Sequence, residues 1–110
     1  IKKMMTRYEE IEFNKLTALL KESGIEYEDT TWGNDVTASI SVLLPRVAEF
    51  LDGRPHWLEE EFQIYIPNSH EHDAENEKYN TFAVTLIEQG HTTDFRRAEE
   101  VMEYLKGFTN

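Results

Sequence analysis

The sequence contains no cysteine among its 110 residues, which excludes a disulfide framework, a thiolate nucleophile and a zinc site with cysteine ligands. Glycine is scarce, with five in the chain, and no glycine-rich loop that could cradle a phosphate occurs. No apolar run approaches the roughly 20 residues that a membrane-spanning helix requires. We therefore expect a cytoplasmic protein with no membrane partner.

Basic residues are also few, since 11 Lys and Arg accompany 22 Asp and Glu and leave a formal net charge of −11. The imbalance is concentrated in residues 25–78, which contain 13 acidic and three basic residues. Affinity for phosphate groups depends on Lys and Arg, so we expect no direct binding of nucleic acid. A net charge of this size exceeds the magnitude of about 2–8 that solubility alone requires, and it would attract basic proteins from a distance.

The length and composition are those of one folded domain. Hydrophobic residues make up 39% of the chain and aromatic residues 12%, which is enough apolar surface for a core despite the charge. Residues 1–5 lack the apolar segment of a signal peptide, and we expect them to form a disordered lead-in. Residues 6–110 are then predicted to be a single acidic α+β domain.

Two segments have the pattern of amphipathic helices. Thr6 and Glu9 have the spacing of a capping box, and apolar residues recur at helical intervals after them, which predicts a helix over residues 7–23. Near the other end, Thr93 is suited to the N-cap position, and a stripe of apolar residues predicts a helix over residues 94–106.

Period-two alternation of apolar and polar side chains predicts four strands. Residues 25–28 and 36–44 alternate in this way, and the turn-forming sequence of residues 32–35 favours a hairpin between them. Residues 61–66 and 79–88 also alternate and are predicted to form a second, longer hairpin.

The segment that follows Pro45 completes the predicted order of elements. Proline is suited to the first turn of a helix, and Gly53 would end one, which favours a short helix over residues 46–52. The predicted order is therefore α-β-β-(α)-β-β-α. The simplest arrangement is an antiparallel sheet of about four strands, with the N-terminal and C-terminal helices packed on one face.

Carboxylates cluster at the two predicted hairpins. Trp32 lies at the tip of the first hairpin, and an exposed tryptophan beside carboxylates is typical of a protein-binding hot spot. The tip of the second hairpin is the sequence NSHEHDAENEK of residues 68–78. The predicted partner-binding residues are Glu26, Glu28, Asp29, Trp32, Asp35, Glu71, Asp73, Glu75 and Glu77.

The same acidic segment contains His70 and His72 among carboxylates, which are ligand types that zinc and other transition metals accept. Two histidines separated by one residue bind a metal best on a strand, where their side chains point the same way. Here they follow Pro67 in a predicted loop. We therefore predict no metal ligands and no cofactor, and keep a divalent-metal-binding domain that uses His70 and His72 as an alternative.

Catalytic motifs are absent as well. The sequence has no nucleophile elbow, no H-E-x-x-H zinc motif and no P-loop. Pairs of carboxylates carry little information in a chain with 22 acidic residues. We therefore expect a protein that is not an enzyme.

In its small size, lack of cysteine, strong acidity and α+β pattern, the chain is similar to two groups of inhibitors. These are the DNA-mimic proteins of phages and mobile elements, among them some anti-CRISPR proteins, and the immunity proteins that neutralise nuclease toxins. The similarity is one of composition and involves no motif. It implies a non-enzymatic acidic protein-binding domain, an inhibitor or DNA mimic whose partner is a basic protein that handles nucleic acid, such as a nuclease.

A third class of function also remains open. An antiparallel sheet with an unpaired edge strand invites self-association, so the chain could be an oligomeric structural protein joined edge to edge. A homodimer would be the simplest such assembly.

Overall fold

The computed structural model of the chain describes residues 4–33, 35–51, 54–73 and 75–108, with the backbone alone described for 46–51 and 54–58. The elements in chain order are α1 (Arg7–Glu22), β1 (Tyr27–Asp29), β2 (Ser39–Leu51), β3 (Arg54–Tyr65), β4 (Phe82–Leu86), β5 (His91–Phe95) and α2 (Ala98–Lys106). The five strands form one antiparallel sheet in the order β1-β2-β3-β4-β5. The predicted α+β class is therefore confirmed.

Alternate residues of the central strands face the two helices and form the core. Val42 lies opposite Phe62, and Phe62 lies opposite Leu86, so the apolar side chains form rows across the sheet. Both helices contribute to the same core, which confirms that they cover one face of the sheet. The buried apolar residues are Leu16, Leu20, Ala38, Ile40, Val42, Leu44, Phe62, Ile64, Ile66, Phe82, Val84, Leu86, Ala98, Val101, Met102 and Leu105.

The first helix begins with the capping box that the sequence predicts. The N–H of Glu9 donates to the hydroxyl of Thr6 at 3.1 Å, and the N–H of Thr6 donates to Oε1 of Glu9 at 3.1 Å. Glu9 is fully buried, and its Oε2 accepts a hydrogen bond from the N–H of Ala38 at 2.5 Å. This carboxylate therefore joins the start of α1 to the residue that precedes β2.

Residues 1–3 of the predicted lead-in lie outside the described residues, whereas Met5 packs against the core. Neither described helix combines the length and apolar character needed to cross a lipid bilayer.

The short helix predicted over residues 46–52 is wrong for its described part, because β2 continues as a strand to Leu51. The N–H of Ile66 donates to the carbonyl of Ala38, so the even-numbered residues of this part of β2 exchange hydrogen bonds with β3. The nitrogen of Pro45 therefore faces the other side, where β1 no longer runs alongside. Proline is tolerated at such an edge position because no ladder hydrogen bond is lost.

The residues beyond Pro45 extend the sheet as a two-stranded ribbon. Leu51 pairs with Arg54, and Val47 pairs with Trp57, with a bulge between Val47 and Glu49. The strand β3 therefore begins at Arg54, earlier than the predicted start at residue 61.

The sequence prediction also missed β5. His91–Phe95 pairs with β4, with Thr93 opposite Val84, and the hydroxyls of Thr92 and Thr85 lie 2.8 Å apart. The predicted N-cap at Thr93 is therefore wrong. The helix α2 starts at Ala98, where the N–H of the N-cap residue Arg97 donates to Oε1 of Glu100 at 3.0 Å.

Candidate functional site

No described element packs against the second face of the sheet, which we call the open face. Its outward side chains include four carboxylates, those of Glu28, Glu59, Glu61 and Asp94, and all four are exposed. Glu26, which precedes β1, is exposed as well. None of the described open-face residues is basic; the strand pairing assigns to this face Glu28, Ser39, Ser41, Leu43, Pro45, Glu59, Glu61, Gln63, Tyr65, Ala83, Thr85, Thr92 and Asp94.

Two connections meet at one end of this face. They are the first loop (residues 30–38), between β1 and β2, and the acidic loop (residues 66–81), between β3 and β4. The Nδ2 of Asn68 donates to the carbonyl of Val36 at 3.1 Å and to that of Glu77 at 3.2 Å. One amide side chain therefore holds the two loops side by side, although 32 residues separate Asn68 from Val36 in the chain.

The acidic loop has a hairpin-like tip with its own hydrogen bonds. Asp73 and Lys78 exchange backbone hydrogen bonds of 2.8 Å in both directions. The Oδ1 of Asp73 accepts from the N–H groups of Glu75 and Asn76 at 3.1 and 3.2 Å, and its Oδ2 accepts from the side chain of Asn76. The hydrogen bond from the Asn76 side chain is the main reason why the pKa of Asp73 lies below its ordinary value of 3.8.

The other acidic residues of this loop face outward. The Oε2 of Glu71 lies 3.8 Å from Nζ of Lys78, in a solvent-exposed ion pair. Glu75 and Glu77 are exposed and form no ion pair with a described residue. Asp73 therefore maintains the turn, while Glu71, Glu75 and Glu77 present their charge to the solvent.

Two aspartates fix the first loop in a similar way, Asp29 at the end of β1 and Asp35 within the loop. The Oδ1 of Asp29 accepts from the N–H of Thr31 at 3.0 Å, and the Oδ2 of Asp35 accepts from the N–H of Trp32 at 2.9 Å. The predicted turn is present at Trp32–Asp35, although it lies within a longer loop instead of joining the strands directly. Trp32 has 69% of its surface exposed, so its ring is accessible to a partner.

A groove with a volume of about 570 Å³ lies between the two loops and the end of the open face. Ala83 forms the floor of the groove. In the strand register it lies opposite Tyr65 of β3 on one side and opposite Asp94 of β5 on the other. Directly opposed residues in a sheet have their Cβ atoms about 5 Å apart. The small alanine side chain therefore leaves a gap between a tyrosine ring and a carboxylate.

The loops supply the remaining walls of the groove. Asp35 contributes from the first loop, and His72 and Tyr79 contribute from the acidic loop. The ring centroids of His72 and Tyr79 are 5.6 Å apart, and the rings are nearly perpendicular at 88°. The groove thus combines two carboxylates with three aromatic rings, counting Tyr65.

The geometry does not favour the alternative of a metal site. The ring of His70 packs against Tyr8 of α1, with the centroids 4.2 Å apart, while His72 packs against Tyr79. Within the described parts of the chain, no group of three or more His, Asp or Glu side chains is placed to hold a metal ion.

Sequence reasoning missed two residues that shape this site, Asp94 and the linking role of Asn68, whereas Tyr65 could be recognised as a residue that flanks the acidic hairpin. Asp94 lies in the segment predicted to be a helix, and the β-branched Thr92 and Thr93 after Gly90 are the one local feature that favours a strand there. Tyr65 follows from the alternation of β3 once the core face is assigned. No sequence signal indicates that Asn68 joins the two loops, because its partners are distant in the chain.

Comparisons with known proteins provide no relative for the chain. No protein-family model matches it, and neither a curated protein nor a solved structure does so. The proposals below therefore depend on the residues and geometry of this chain.

Proposed function

We propose that the protein is a non-enzymatic binding protein whose acidic side binds a basic protein that handles nucleic acid, as an inhibitor or DNA mimic does. The observation that supports this most is that the first loop and the acidic loop lie together at one end of the open face, which itself bears four exposed carboxylates. The proposal includes a cytoplasmic location and, as one possible source, a phage or mobile element.

The distribution of basic residues strengthens the proposal. Lys15 lies 3.9 Å from Glu12 on α1, and Arg97 lies 3.9 Å from Glu99 at the start of α2, so these bases are beside acids on the helical side. On the acidic loop, Lys78 faces one carboxylate, that of Glu71. No described base forms an ion pair with the open-face carboxylates of Glu28, Glu59, Glu61 and Asp94, so ion pairing within the described residues does not neutralise the negative field on this side.

Charge and aromatic surface would have different roles in such an interface. Exposed carboxylates accelerate the encounter with a basic protein, and the gain falls as salt is added. Residence time depends on a few buried anchors, among which tryptophan is enriched. The exposed ring of Trp32, next to Asp35, is the anchor that we assign to this surface.

The first experiment identifies the partner and then measures its binding. The immobilised protein is incubated with cell lysate at low salt, and the proteins that elute as salt is raised are identified. If one basic nucleic-acid enzyme elutes, it is purified and tested for an equimolar complex with the protein. Its nucleic-acid binding is then measured with and without the protein, and we expect the protein to reduce it. Absence of inhibition in that assay would contradict the inhibitor role.

A charge-matched pair of variants tests whether the acidic loop forms the interface. Glu71→Gln, Glu75→Gln and Glu77→Gln together should slow association with the purified partner roughly tenfold at low salt and flatten its salt dependence. Asp73 is left intact because its carboxylate maintains the turn.

The control removes the same number of charges from exposed positions outside the acidic loop, with Glu22→Gln, Glu88→Gln and Glu103→Gln. Both triple variants have the same formal net charge. If the two slow association equally, net charge alone is responsible and the acidic loop is not the contact surface.

Self-association is the second candidate, and one observation favours it. Leu43 and Ile87 are both exposed and lie on either side of Glu61, so the open face has apolar as well as acidic positions. Light scattering over a range of protein concentrations would detect a homodimer. A monomer at all concentrations would remove this candidate.

A further inference from the structure

The groove between the two loops has carboxylates that are available to a ligand. Asp94 is exposed on β5, and no described residue donates a hydrogen bond to it or forms an ion pair with it. Asp35 uses Oδ2 to accept the N–H of Trp32, which leaves Oδ1 without a described donor. Two acceptors from different elements therefore line the same groove.

The aromatic walls narrow the class of ligand further. Tyr65 and Tyr79 remain 42% and 37% exposed, so part of each side chain is accessible to a ligand, and Ala83 leaves space at the floor. Aromatic faces attract cations that lie over them, and arginine does this more often than lysine. The volume of about 570 Å³ is within the range of small-ligand pockets, and so is ample for one long side chain.

Three ligand classes fit this combination less well than arginine. An anion would be repelled by Asp35 and Asp94. A metal ion would need three or more ligands, and the described residues offer no such group. A lysine ammonium is a compact, strongly hydrated charge, whereas a guanidinium is planar, stacks on aromatic rings and donates two parallel hydrogen bonds to a carboxylate.

We propose that this groove binds the side chain of an arginine residue, with the guanidinium between the tyrosine rings and hydrogen-bonded to Asp94 and Asp35. The inference depends on the proposed function for its source, since it assigns the arginine to the basic partner. The proposed binding surface would then include one pocket for a specific side chain in addition to its general negative charge.

The test begins with N-acetyl-arginine amide as the probe. Titrated into the isotopically labelled protein, it should produce saturable NMR shifts at Tyr65, Ala83 and Asp94, with an affinity of roughly 1–10 mM for a single side chain. N-acetyl-citrulline amide has almost the same shape but no charge, and it should produce much smaller shifts. Equal shifts with both probes, or shifts that do not saturate, would overturn the pocket.

Variants then locate the binding site. Asp94→Asn should weaken binding of the arginine probe about three- to tenfold, because a charge-assisted hydrogen bond is lost at an exposed position. Glu103→Gln removes the same charge from an exposed position on α2 and should leave the affinity unchanged. Equal weakening by both variants would show general attraction to an acidic protein and overturn the proposal.

A second variant tests the shape of the groove without changing its charge. Ala83→Leu places a larger side chain on the floor between Tyr65 and Asp94 and should reduce binding of the arginine probe at least about threefold. Ala83 is half-buried on the open face, away from the core, so the fold should be retained; this is checked by the dispersion of the NMR spectrum. Unchanged affinity in a folded Ala83→Leu protein would contradict binding in the groove.

Different experimental results would contradict the arginine pocket and the proposed function. If a purified basic partner binds and Asp94→Asn leaves its affinity unchanged while the triple variant of the acidic loop slows association, the pocket is wrong and the acidic-surface function stands. If the arginine probe saturates the groove and no basic protein forms an equimolar complex, the pocket stands and the proposed function is wrong.

Discussion

The two faces of the sheet are formed by the same strands and differ in almost every property. On β3, Phe62 and Ile64 point toward the helices and are fully buried, while Glu61 and Gln63 point to the open face. One face contains the apolar side chains that stabilise the fold, and the other contains most of the sheet's acids and hydroxyl groups together with the exposed Leu43 and Ile87. Because successive residues alternate between the faces, stability and surface charge can change independently of each other.

The largest expected difference between the two faces is in how much a substitution lowers the free energy of unfolding. Phe62→Ala removes a buried ring whose centroid is 5.0 Å from that of Phe108 and 6.2 Å from that of Tyr104, and should lower the free energy of unfolding by about 3–5 kcal/mol. Tyr65→Ala, three residues further on the open face, should lower it by about 1 kcal/mol or less. Urea unfolding measures both, and similar losses would contradict the contrast between the faces.

The buried carboxylate of Glu9 is expected to have the next largest effect. Glu9→Gln replaces one carboxylate oxygen with a donor, so a backbone N–H of Thr6 or Ala38 loses its acceptor. The free energy of unfolding should fall by about 1–3 kcal/mol. The neighbouring Glu10 is exposed, and Glu10→Gln should change it by about 0.5 kcal/mol or less. Equal effects would show that burial of the Glu9 carboxylate is unimportant.

A smaller effect on stability, with a large effect on binding, is expected for Trp32. Since the ring is mostly exposed, Trp32→Ala should change the free energy of unfolding by about 0.5 kcal/mol or less. Dissociation from a basic partner should become roughly tenfold faster if the ring is an anchor of the interface. Surface plasmon resonance with the purified partner measures that rate, and an unchanged rate would exclude Trp32 from the contact.

The smallest effect is confined to one turn of the acidic loop. The pKa of Asp73 is lowered in the folded protein, so its stabilising contribution is present above the ordinary value of 3.8 and is lost as pH falls through the folded pKa. Carboxyl-carbon NMR should give a pKa below 3.8 in the wild type and a value closer to 3.8 in Asn76→Ala. An unchanged pKa in Asn76→Ala would contradict the role of its side chain.

Local sequence patterns predicted the elements whose partners are close in the chain. The capping box at Thr6 and Glu9 and the alternation of residues 36–44 were sufficient for α1 and for the core face of β2. The exposure of Trp32 also followed from its place in a turn.

The remaining features depend on contacts that no local pattern contains. Pro45 is compatible with a strand only because β1 ends before reaching it, and that depends on the length of a neighbouring strand. Thr93 and Asp94 are residue types that often start a helix. They form a strand here because they pair with Val84 and Ala83 of β4. The groove requires residues from three separate segments of the chain. The sequence therefore predicted the first loop and the acidic loop individually, but not that they lie side by side.

The order of the strands has a consequence for how the surface can diversify. Each strand pairs with its neighbour in the chain, so the acidic loop closes a simple hairpin connection and no other strand passes through it. Doubling the length of such a connection costs only about 0.6 kcal/mol of closure entropy. If Asn68 is retained to hold it against the first loop, the acidic loop can therefore be lengthened, shortened or exchanged while the fold persists, and new sequence in this segment alone would change the surface that a partner meets.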